Sequence, residues 1–309
     1  MSSNHNFQVG FIGLGVMGRE MSRNLVTAGY KVAVYDVRAG AADELVSIGA
    51  RCADSIADAV RDADIAITML PDTPQVEEVV AGEQGLRANP PKGGLFVDMS
   101  TISPQATKQM HAILGKQGVG MLDAPVSGGP QGAKNASLSI MVGGNAIDFQ
   151  KAEPFLKAMG TTITHVGDSG AGQTVKLCNQ LVCGINLQAI CEALALGRAC
   201  GVDLQQMRSV LLGGSASSWM LERLGSSMIE GDVSAGFRID LMLKDLRLVV
   251  EMAQQQSVPL PGTALVTNQY IDARAHGEGN NGNQALFRVY DRMTGQDQRI
   301  VETDRAVGS

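Results

Sequence analysis

Three polar side chains that could move a proton and hydrogen-bond a small molecule lie close together at Lys176, Asn179 and Gln180. They follow Gly170-Ala171-Gly172, where apolar residues begin to recur at helical spacing, and the next proline is Pro259. Positions i, i+3 and i+4 of a helix share one face, so the amine and both amides project together. Burial lowers a lysine pKa toward neutrality, as proton transfer requires. The alternative interpretation is a surface lysine beside two amides.

The glycine-rich stretch Gly13-Leu14-Gly15-Val16-Met17-Gly18 is a second candidate for chemistry. It follows an apolar run at residues 9–12 and precedes apolar positions at helical spacing, so it predicts a strand, a turn and a helix. In such a unit the first glycine permits the turn, the second lets a pyrophosphate approach the backbone, and the third lets the helix contact the strand. Phosphate oxygens would meet the free N–H groups of the helix start. A glycine-rich turn without a ligand is the alternative.

The choice between the two nicotinamide cofactors depends on Asp36 and Arg38. Residues 31–35 form a second predicted strand, and Asp36 stands at its end. A carboxylate there accepts hydrogen bonds from the ribose hydroxyls of NAD and repels a 2′-phosphate, whereas a nearby arginine accommodates NADP. The sequence predicts NAD, with NADP kept open by Arg38.

Further predicted strands end in clusters that suit a binding site. Residues 65–69 are followed by Leu70-Pro71-Asp72, and residues 95–98 by Met99-Ser100-Thr101. In an open parallel sheet ligands bind beyond the carboxyl ends of the strands, so we expect these clusters to border the cofactor. Ser127-Gly128-Gly129 comes after a strand at residues 121–124 and would expose backbone N–H groups suited to a carboxylate. A structural turn is the alternative there.

The order of these patterns predicts an α/β fold with two domains, which 309 residues can supply. Residues 1–169 should form a Rossmann-type doubly wound parallel sheet, with further strands at 138–143 and 162–166. Residues 170–309 should form an all-helical domain that begins with a long interdomain helix at about 172–201.

Composition excludes several classes of protein. The chain is 44% hydrophobic and 18% charged, as globular soluble proteins are, and its net charge of −6 argues against nucleic-acid binding. No uninterrupted apolar run approaches the roughly 18 residues of a membrane span, and the first residues lack a signal peptide. Five cysteines without metal-ligand spacing fit a reducing, cytoplasmic location and no metal site. Four of them follow residue 172, where we expect apolar packing.

The helical half contains a second lysine of interest. Asp240 and Lys244 lie four positions apart, for which an exposed salt bridge is the ordinary explanation. Phe237 and the leucines around it make the segment apolar enough to be buried, so Lys244 could instead reach the cofactor or substrate. The Leu, Met and Ala content of this half predicts a homodimer or homotetramer. The polar tail after Gly295 is either disordered or an arm laid on a neighbour.

Taken together, five stretches resemble the β-hydroxyacid dehydrogenase family, over nearly the whole chain. Within it, residues 236–241 look most like the tartronate semialdehyde reductase branch. Relatives often carry Asp-x-Ser before the last helix, where this chain has Asn280-Asn281-Gly282-Asn283, so Asn281 or Asn283 is the predicted replacement cap. The five stretches are Gly13-Leu14-Gly15-Val16-Met17-Gly18, Asp98-Met99-Ser100-Thr101, Asp123-Ala124-Pro125-Val126-Ser127-Gly128-Gly129, residues 172–180, and Lys244-Asp245-Leu246.

The resemblance implies roles for individual residues, with the active site in the cleft between the two domains. Lys176 would be the catalytic lysine, and Asn179 and Gln180 the amides near the substrate, although many relatives carry Asn at the second position. The substrate carboxylate would contact Ser127, Gly128 and Gly129, and Phe237 and Asp240 belong to the substrate-binding segment. Cofactor contacts would come from the glycine turn, Asp36, Leu70, Pro71, Thr101 and Lys244.

The implied reaction is hydride transfer between NAD(H) and a small β-hydroxyacid or its semialdehyde. The best match is reduction of tartronate semialdehyde (2-hydroxy-3-oxopropionate) to glycerate. A sister dehydrogenase acting on 3-hydroxyisobutyrate, L-threonate, sulfolactaldehyde or 2-hydroxymethylglutarate would use the same machinery. A non-catalytic dinucleotide-binding protein that acts in assembly is the alternative of another class, and Lys176 argues against it, because relatives of that kind lack the lysine.

Overall fold

The computed structural model of the chain describes residues 7–296. Its contacts divide the chain into two compact units, Met1–Leu177 and Cys178–Ser309, and the long helix α8 (Ala171–Ala199) runs through the division. The predicted disordered tail or arm after Gly295 falls largely on residues 297–309, which lie outside the described part of the chain.

The first unit alternates strands and helices. Apolar runs of four or five residues form its central strands, and helices whose apolar residues recur every three or four positions connect them. Its elements are β1 (Gln8–Ile12), α1 (Val16–Thr27), β2 (Lys31–Tyr35), α2 (Asp43–Val46), β3 (Arg51–Cys52), α3 (Ile56–Val60), β4 (Ile65–Thr68), α4 (Thr73–Ala81), β5 (Leu95–Asp98), α5 (Pro104–Gly115), β6 (Gly120–Asp123), β7 (Val126–Ser127), α6 (Gly129–Lys134), β8 (Leu138–Gly143), α7 (Ala146–Lys157) and β9 (Gly160–Gly167).

The strands form one sheet with the order β3-β2-β1-β4-β5-β6-β8-β7, and β9 pairs with β8. From β3 to β6 all pairs are parallel, so the carboxyl ends of these strands meet at one edge. The strand order reverses between β1 and β4, which is the switch point where doubly wound sheets bind dinucleotides. The predicted α/β class and Rossmann-type sheet are confirmed.

The sheet departs from the predicted parallel arrangement at β8, which runs antiparallel to β6 and β7. Only residues 128–137 separate β7 from β8, and they contain the short helix α6. A parallel pair needs a crossover of a dozen or more residues, so the chain returns in the opposite direction. The following strand, β9, is parallel to β8.

Both faces of the sheet are covered by helices, because the central strands are apolar at successive positions. Phe11, Ile67 and Val97 point toward the face covered by α1 and α7. Ile12 and Phe96 point toward the opposite face, which is covered by α3, α4 and α5. Two apolar layers therefore hold the strand ends in place.

The second unit is all helical over its described residues, 178–296. Its core includes Leu187, Leu194, Leu246, Val266 and Tyr270, which come from three different helices. Gly282 precedes the final 3-10 turn without a side-chain cap, so the predicted caps Asn281 and Asn283 are wrong. The elements after α8 are α9 (Leu204–Leu212), α10 (Trp219–Glu230), α11 (Ile239–Gln255), α12 (Pro261–Ala275), the 3-10 turn Asn283–Leu286 and α13 (Phe287–Met293).

The helix α8 is long and apolar enough to cross a bilayer by length and composition alone, since an 18-residue stretch of it has a mean hydropathy of 1.3, and 44% of that stretch is buried within the protein. Core helices of soluble proteins meet the same criterion, so this is weak support for a span. Of the cysteines expected to pack there, Cys191 is buried and Cys183 is half-buried. Cys178 and Cys200 are exposed, so the packing role predicted for those two is wrong.

Candidate active site

The three motif glycines differ in why the protein needs them. A Cβ on Gly13 would lie 2.4 Å from the Met69 carbonyl oxygen, and one on Gly18 would lie 2.0 Å from the Gly13 carbonyl oxygen. Gly13 also has a φ of +97°, which favours glycine. A Cβ on Gly15 would meet no atom within 4 Å, so the described protein gives no reason for glycine there. A ligand that approaches the backbone closely supplies that reason.

The start of α1 suits an anion. Gly15 precedes the helix with no side-chain cap, and the first turn contains no acidic residue. Unbonded N–H groups at a helix start, together with the helix dipole, attract phosphate oxygens. The Leu14 side chain is buried and that of Val16 is exposed, while Met17 packs against the sheet core.

Asp36 lies beside the glycine turn, as the sequence predicts. Its Oδ2 accepts a hydrogen bond from the Leu14 backbone N–H at 2.7 Å. The Arg38 guanidinium donates to both carboxylate oxygens, at 2.9 and 3.0 Å. Burial alone would raise the pKa of Asp36, but the hydrogen bonds from Arg38 and Leu14 outweigh it and hold the pKa below its ordinary value.

The segments after β4 and β5 are joined by hydrogen bonds. The Leu70 backbone N–H donates to Ser100 Oγ at 2.9 Å, which holds the two predicted cofactor segments side by side. Pro71 is exposed, and Leu70 and Thr101 are half-buried. These residues therefore lie at the same sheet edge as the glycine turn.

Two carboxylates end neighbouring strands at this edge. Asp98 and Asp123 are register partners of β5 and β6, and both are buried. Burial raises the pKa of Asp98 to about 6, although Ser100 and Thr68 donate hydrogen bonds to it, and the neighbouring Asp123 also raises it. Burial likewise raises the pKa of Asp123 to about 6, against the effect of the amides that bind it. The Oδ2 atom of Asp98 has no hydrogen-bond partner within residues 7–296.

The Asp123 carboxylate accepts hydrogen bonds at the start of α8, the helix that carries Lys176. Its Oδ1 accepts from the Gly170 N–H and its Oδ2 from the Gln173 N–H, both at 2.8 Å. Lys176 lies one turn further along α8, and only 6% of its surface is exposed. The interpretation of Lys176 as a surface lysine is therefore wrong.

The predicted carboxylate-binding stretch follows the short strand β7. Ser127 is register partner to Ser139 of β8 and is half-buried. Gly128 and Gly129 have φ values of +130° and +61°, which side chains rarely adopt. The local backbone therefore requires both glycines, whether or not a substrate binds there.

In the second unit, the predicted residues Gln180 and Lys244 meet at Asp245. Gln180 Nε2 donates to Asp245 Oδ2 at 2.6 Å, and Lys244 Nζ lies 2.8 Å from Asp245 Oδ1. Asn179 Nδ2 donates to Gln180 Oε1 at 2.9 Å. The Lys244 side chain is 15% exposed, so an exposed salt bridge does not explain it.

Phe237 and Asp240, the other predicted substrate residues, lie beside the segment 279–283. The Asp240 N–H donates to the Gly279 carbonyl at 3.1 Å, and the Asn283 N–H donates to the Phe237 carbonyl at 2.8 Å. Phe237 packs against the core of the second unit. These contacts explain where both residues lie. Their role in substrate binding stays a prediction.

Asp123, Gln173 and Asp245 were missed as site residues by sequence reasoning. The available signal was a polar side chain at a position that the apolar pattern should bury: Asp123 ends a buried strand, and Asp245 lies on the buried face of α11 beside Met242. Their partners come from distant parts of the chain, which no local pattern reveals. Within the described residues there is also no group of three or more His, Cys, Asp or Glu that could hold a metal ion.

Two family profiles match the chain. The NAD binding domain of 6-phosphogluconate dehydrogenase matches residues 8–167. The domain described as NAD-binding of NADP-dependent 3-hydroxyisobutyrate dehydrogenase matches residues 170–290.

Individual relatives are similar over almost the full length. The 2-hydroxy-3-oxopropionate reductase of Escherichia coli is 41% identical over 93% of this chain and 98% of its own. The 2-(hydroxymethyl)glutarate dehydrogenase of Eubacterium barkeri is 37% identical over 94% and 97%. The structure of Mycobacterium tuberculosis 3-hydroxyisobutyrate dehydrogenase with L-serine has a TM-score of 0.84 and 34% identity, covering 91% of this chain and 98% of that one.

Replacing the middle and last motif glycines by alanine should have different effects. We expect Gly15→Ala to weaken NADH binding roughly tenfold or more while changing the free energy of unfolding by less than about 1 kcal/mol. Gly18→Ala should lower the free energy of unfolding by about 1–3 kcal/mol, because its methyl group meets the Gly13 carbonyl. Fluorescence titration with NADH and urea unfolding measure the two effects.

Gly115→Ala is the matched control, since a Cβ there also meets no atom within 4 Å and the residue lies outside the motif. It should leave NADH binding unchanged and, like Gly15→Ala, change the free energy of unfolding by less than about 1 kcal/mol. Normal NADH binding by Gly15→Ala would contradict the assignment of this turn to the cofactor.

The raised pKa of Asp98 predicts how stability depends on pH. Its pKa of about 6 lies above the ordinary 3.8, so the folded state favours the neutral acid. The resulting contribution of Asp98 to the free energy of unfolding is fully present below about pH 4 and is lost as the pH rises through 6. Asp98→Asn cannot ionise. We therefore expect its free energy of unfolding to rise, relative to that of the wild type, by up to about 3 kcal/mol between pH 4 and 7.

Urea unfolding at several pH values measures this difference. Asp58→Asn is the control of opposite sign, because the hydrogen bond from Arg51 lowers the pKa of Asp58. A difference between Asp98→Asn and the wild type that stays constant across this range would show that Asp98 does not titrate as described.

Proposed function

The chain belongs to the β-hydroxyacid dehydrogenase family, and from this premise we propose that it reduces tartronate semialdehyde to glycerate with NADH. It is an NAD(P)-dependent oxidoreductase of that family. The observation that carries the proposal is the buried Lys176, one turn into a helix whose start is hydrogen-bonded to the cofactor edge of the sheet.

The residues at this edge fit a nicotinamide dinucleotide. The open space at Gly15 and the uncapped start of α1 suit the pyrophosphate. Asp36 stands where the adenosine ribose would bind, and Leu70, Pro71 and Thr101 would line the remainder. When bound, the dinucleotide supplies the hydride.

Lys176 would handle the proton of the reaction. In the reducing direction its ammonium group donates a proton to the substrate oxygen as negative charge develops there, and in the oxidising direction the neutral amine accepts it. Little water reaches the buried amine, so the transferred proton comes from the side chain itself. Asn179, one turn further along α8, would hydrogen-bond the same substrate.

The substrate carboxylate would be held by the turn at Ser127, Gly128 and Gly129. The positive φ values of the two glycines turn the backbone at this point, and consecutive N–H groups in such a turn can bind an oxyanion. A small acid with a carbonyl two bonds from the carboxylate carbon would present both groups to one site. Phe237 and Asp240 are the proposed determinants of the remaining substrate substituent.

The name of the Escherichia coli relative supports the choice of tartronate semialdehyde, together with the resemblance of residues 236–241. Other relatives carry the names of different activities, among them 2-(hydroxymethyl)glutarate and 3-hydroxyisobutyrate dehydrogenases. A sister dehydrogenase of this kind is the second candidate. It would use the same lysine and the same turn.

We propose NAD as the preferred cofactor. Asp36 remains ionised because its pKa is lowered, so its charge would repel a 2′-phosphate. Arg38 now pairs with that carboxylate, yet its side chain is 62% exposed and could turn toward a phosphate. NADP is therefore the secondary cofactor.

A cytoplasmic location and a homodimer or homotetramer are also proposed. Exposed apolar side chains of the second unit, such as Leu196 and Leu265, support an interface between copies. Light scattering should give two or four chain masses, and a single chain mass would contradict the proposal.

The function is tested with a panel of tartronate, methylmalonate and succinate semialdehydes, each with NADH and with NADPH. We expect the highest kcat/KM for tartronate semialdehyde with NADH. Lys176→Ala should lower kcat by about 10²–10⁴-fold and leave the dissociation constant of NADH unchanged within about threefold. Lys176→Arg should be equally impaired, because arginine does not release a proton near neutral pH.

Lys157→Ala removes an exposed lysine from α7 and is the control, with wild-type turnover expected. Near-normal turnover of Lys176→Ala would refute the role of the lysine. Preference for another semialdehyde would support the sister activity instead.

The cofactor preference can be changed in both directions by two matched variants. Asp36→Asn should raise KM for NADH and lower it for NADPH, because the repelling charge is gone while Arg38 remains. Arg38→Ala should raise KM for NADPH and change KM for NADH little. Steady-state kinetics with both cofactors measure these values, and a larger loss with NADH than with NADPH in Arg38→Ala would contradict the assignment.

A further inference from the structure

The start of α8 is capped by a side chain distant in sequence. Asp123 lies 47 and 50 residues before the two N–H groups that it accepts. Several other helices of the chain are instead capped by the residue directly before them. Examples are Ser55 for α3, Ser103 for α5, Asp203 for α9 and Ser218 for α10.

The first turn of α8 packs closely against the sheet at Gly172, where there is no room for a side chain. A Cβ on Gly172 would lie 2.5 Å from the carbonyl oxygens of both Asp123 and Met141. A Cβ on Gly143 of β8 would lie 2.6 Å from Asp123 Oδ1. The helix start therefore packs closely against the ends of β6 and β8.

Gln173 ties the same turn to the segment after β5. The side chain is fully buried. Its Oε1 accepts from the Ile102 N–H at 3.1 Å, and its Nε2 donates to the Ser100 carbonyl at 2.8 Å. These two bonds bracket Thr101, a proposed cofactor contact. One amide side chain thus joins the cofactor segment to the turn that precedes Lys176.

A buried carboxylate is a costly way to cap a helix. Burial raises the pKa of Asp123 to about 6, so ionising this carboxyl group costs more free energy in the folded protein than in the unfolded chain. A serine or asparagine side chain also caps helices well and introduces no charge. Stability alone therefore does not explain the aspartate, whereas accurate placement of the helix start does.

We infer that Asp123 and Gln173 are positioning residues of the reaction. They clamp the first turn of α8 to the ends of β5 and β6, and so hold Lys176 at a set position relative to the cofactor segment 100–102. This inference rests on the proposed proton-transfer role of Lys176. Misplacement of a catalytic group by about 1 Å can cost about a hundredfold in rate.

Two isosteric variants test the clamp. Asp123→Asn keeps one oxygen acceptor and sets an NH₂ group against the other backbone N–H. Gln173→Glu keeps the acceptor for Ile102 but loses the donor to the Ser100 carbonyl whenever the glutamate is ionised. Other titratable groups at this clamp are Asp98, which neighbours Asp123, Lys108 of α5, whose side chain lies against Gly170, and Lys176, one turn along the helix.

We expect Asp123→Asn to lower kcat about 10–100-fold, with KM for the semialdehyde and the dissociation constant of NADH changed less than about threefold. Hydrogen exchange of the peptide 168–178 should become about tenfold faster, because the helix start opens more readily. Loss of kcat without faster exchange, or faster exchange with normal kcat, would overturn the inference.

Gln173→Glu adds a pH-dependent test. Its kcat relative to the wild type should be low at pH 8 and recover toward pH 6, because the protonated glutamate again donates to the Ser100 carbonyl. A ratio that does not change with pH would count against the clamp. If Asp123→Asn does not fold, this variant and its exchange rates decide the question.

Asp64→Asn is the matched control, since Asp64 also accepts a long-range backbone bond, from the Gln8 N–H at 2.7 Å, at the opposite edge of the sheet. It should keep wild-type kcat and exchange in the peptide 168–178. If Lys176→Ala is inactive while both clamp variants match Asp64→Asn, the inference fails and the proposed function stands. If Lys176→Ala is active, the proposed function fails first.

Discussion

A carboxylate buried at the end of β6 accepts hydrogen bonds from the N–H groups of Gly170 and Gln173 at the start of α8, and the arrangement of the candidate site depends on this contact. Without it, the start of α8 would be held by the close backbone approach at Gly143 and Gly172 and by the two hydrogen bonds of Gln173. The contact requires a buried charge, which lowers stability at neutral pH. The contact thereby holds the start of α8 against the sheet, at the edge where the predicted cofactor residues lie.

The electrostatic character of that edge follows from a helix start together with carboxylates that are buried or paired. The start of α1 offers partial positive charge with no acidic residue in its first turn, and the ionised Asp36 is paired with Arg38. Asp98 and Asp123 have raised pKa values, so the negative charge of this edge depends on pH around 6. An anionic cofactor and an anionic substrate can both bind at an edge whose own carboxylates are buried and hydrogen-bonded.

In the second unit a polar residue also interrupts an apolar face. Asp245 lies among the buried residues of α11 and binds both Gln180 and Lys244. Local rules of apolar patterning are commonly broken at functional sites. The same reasoning identifies Asp123, a carboxylate at the end of a buried strand. Such interruptions are visible in the order of residues, whereas the partners of these carboxylates are not.

The local pattern of apolar and polar residues was sufficient to predict the class of fold and much of the sheet edge. The runs at residues 31–35 and 95–98 became β2 and β5 with the predicted bounds, and the glycine turn followed β1 as expected. These features depend on periodicity and on short-range backbone constraints, which the order of residues determines directly. The direction of β8 did not follow from local pattern, because pairing is chosen between segments.

The sequence by itself therefore determined the βα order, the glycine turn and the place of Asp36 at a strand end. Only the tertiary structure decided that Asp123 holds the start of α8, that Gln173 joins it to residues 100–102, and that Gln180 pairs with Asp245. These bonds link groups far apart in the chain. Their formation depends on which elements become neighbours and which groups lose water, and that is set by the packing of each whole unit and by no single segment.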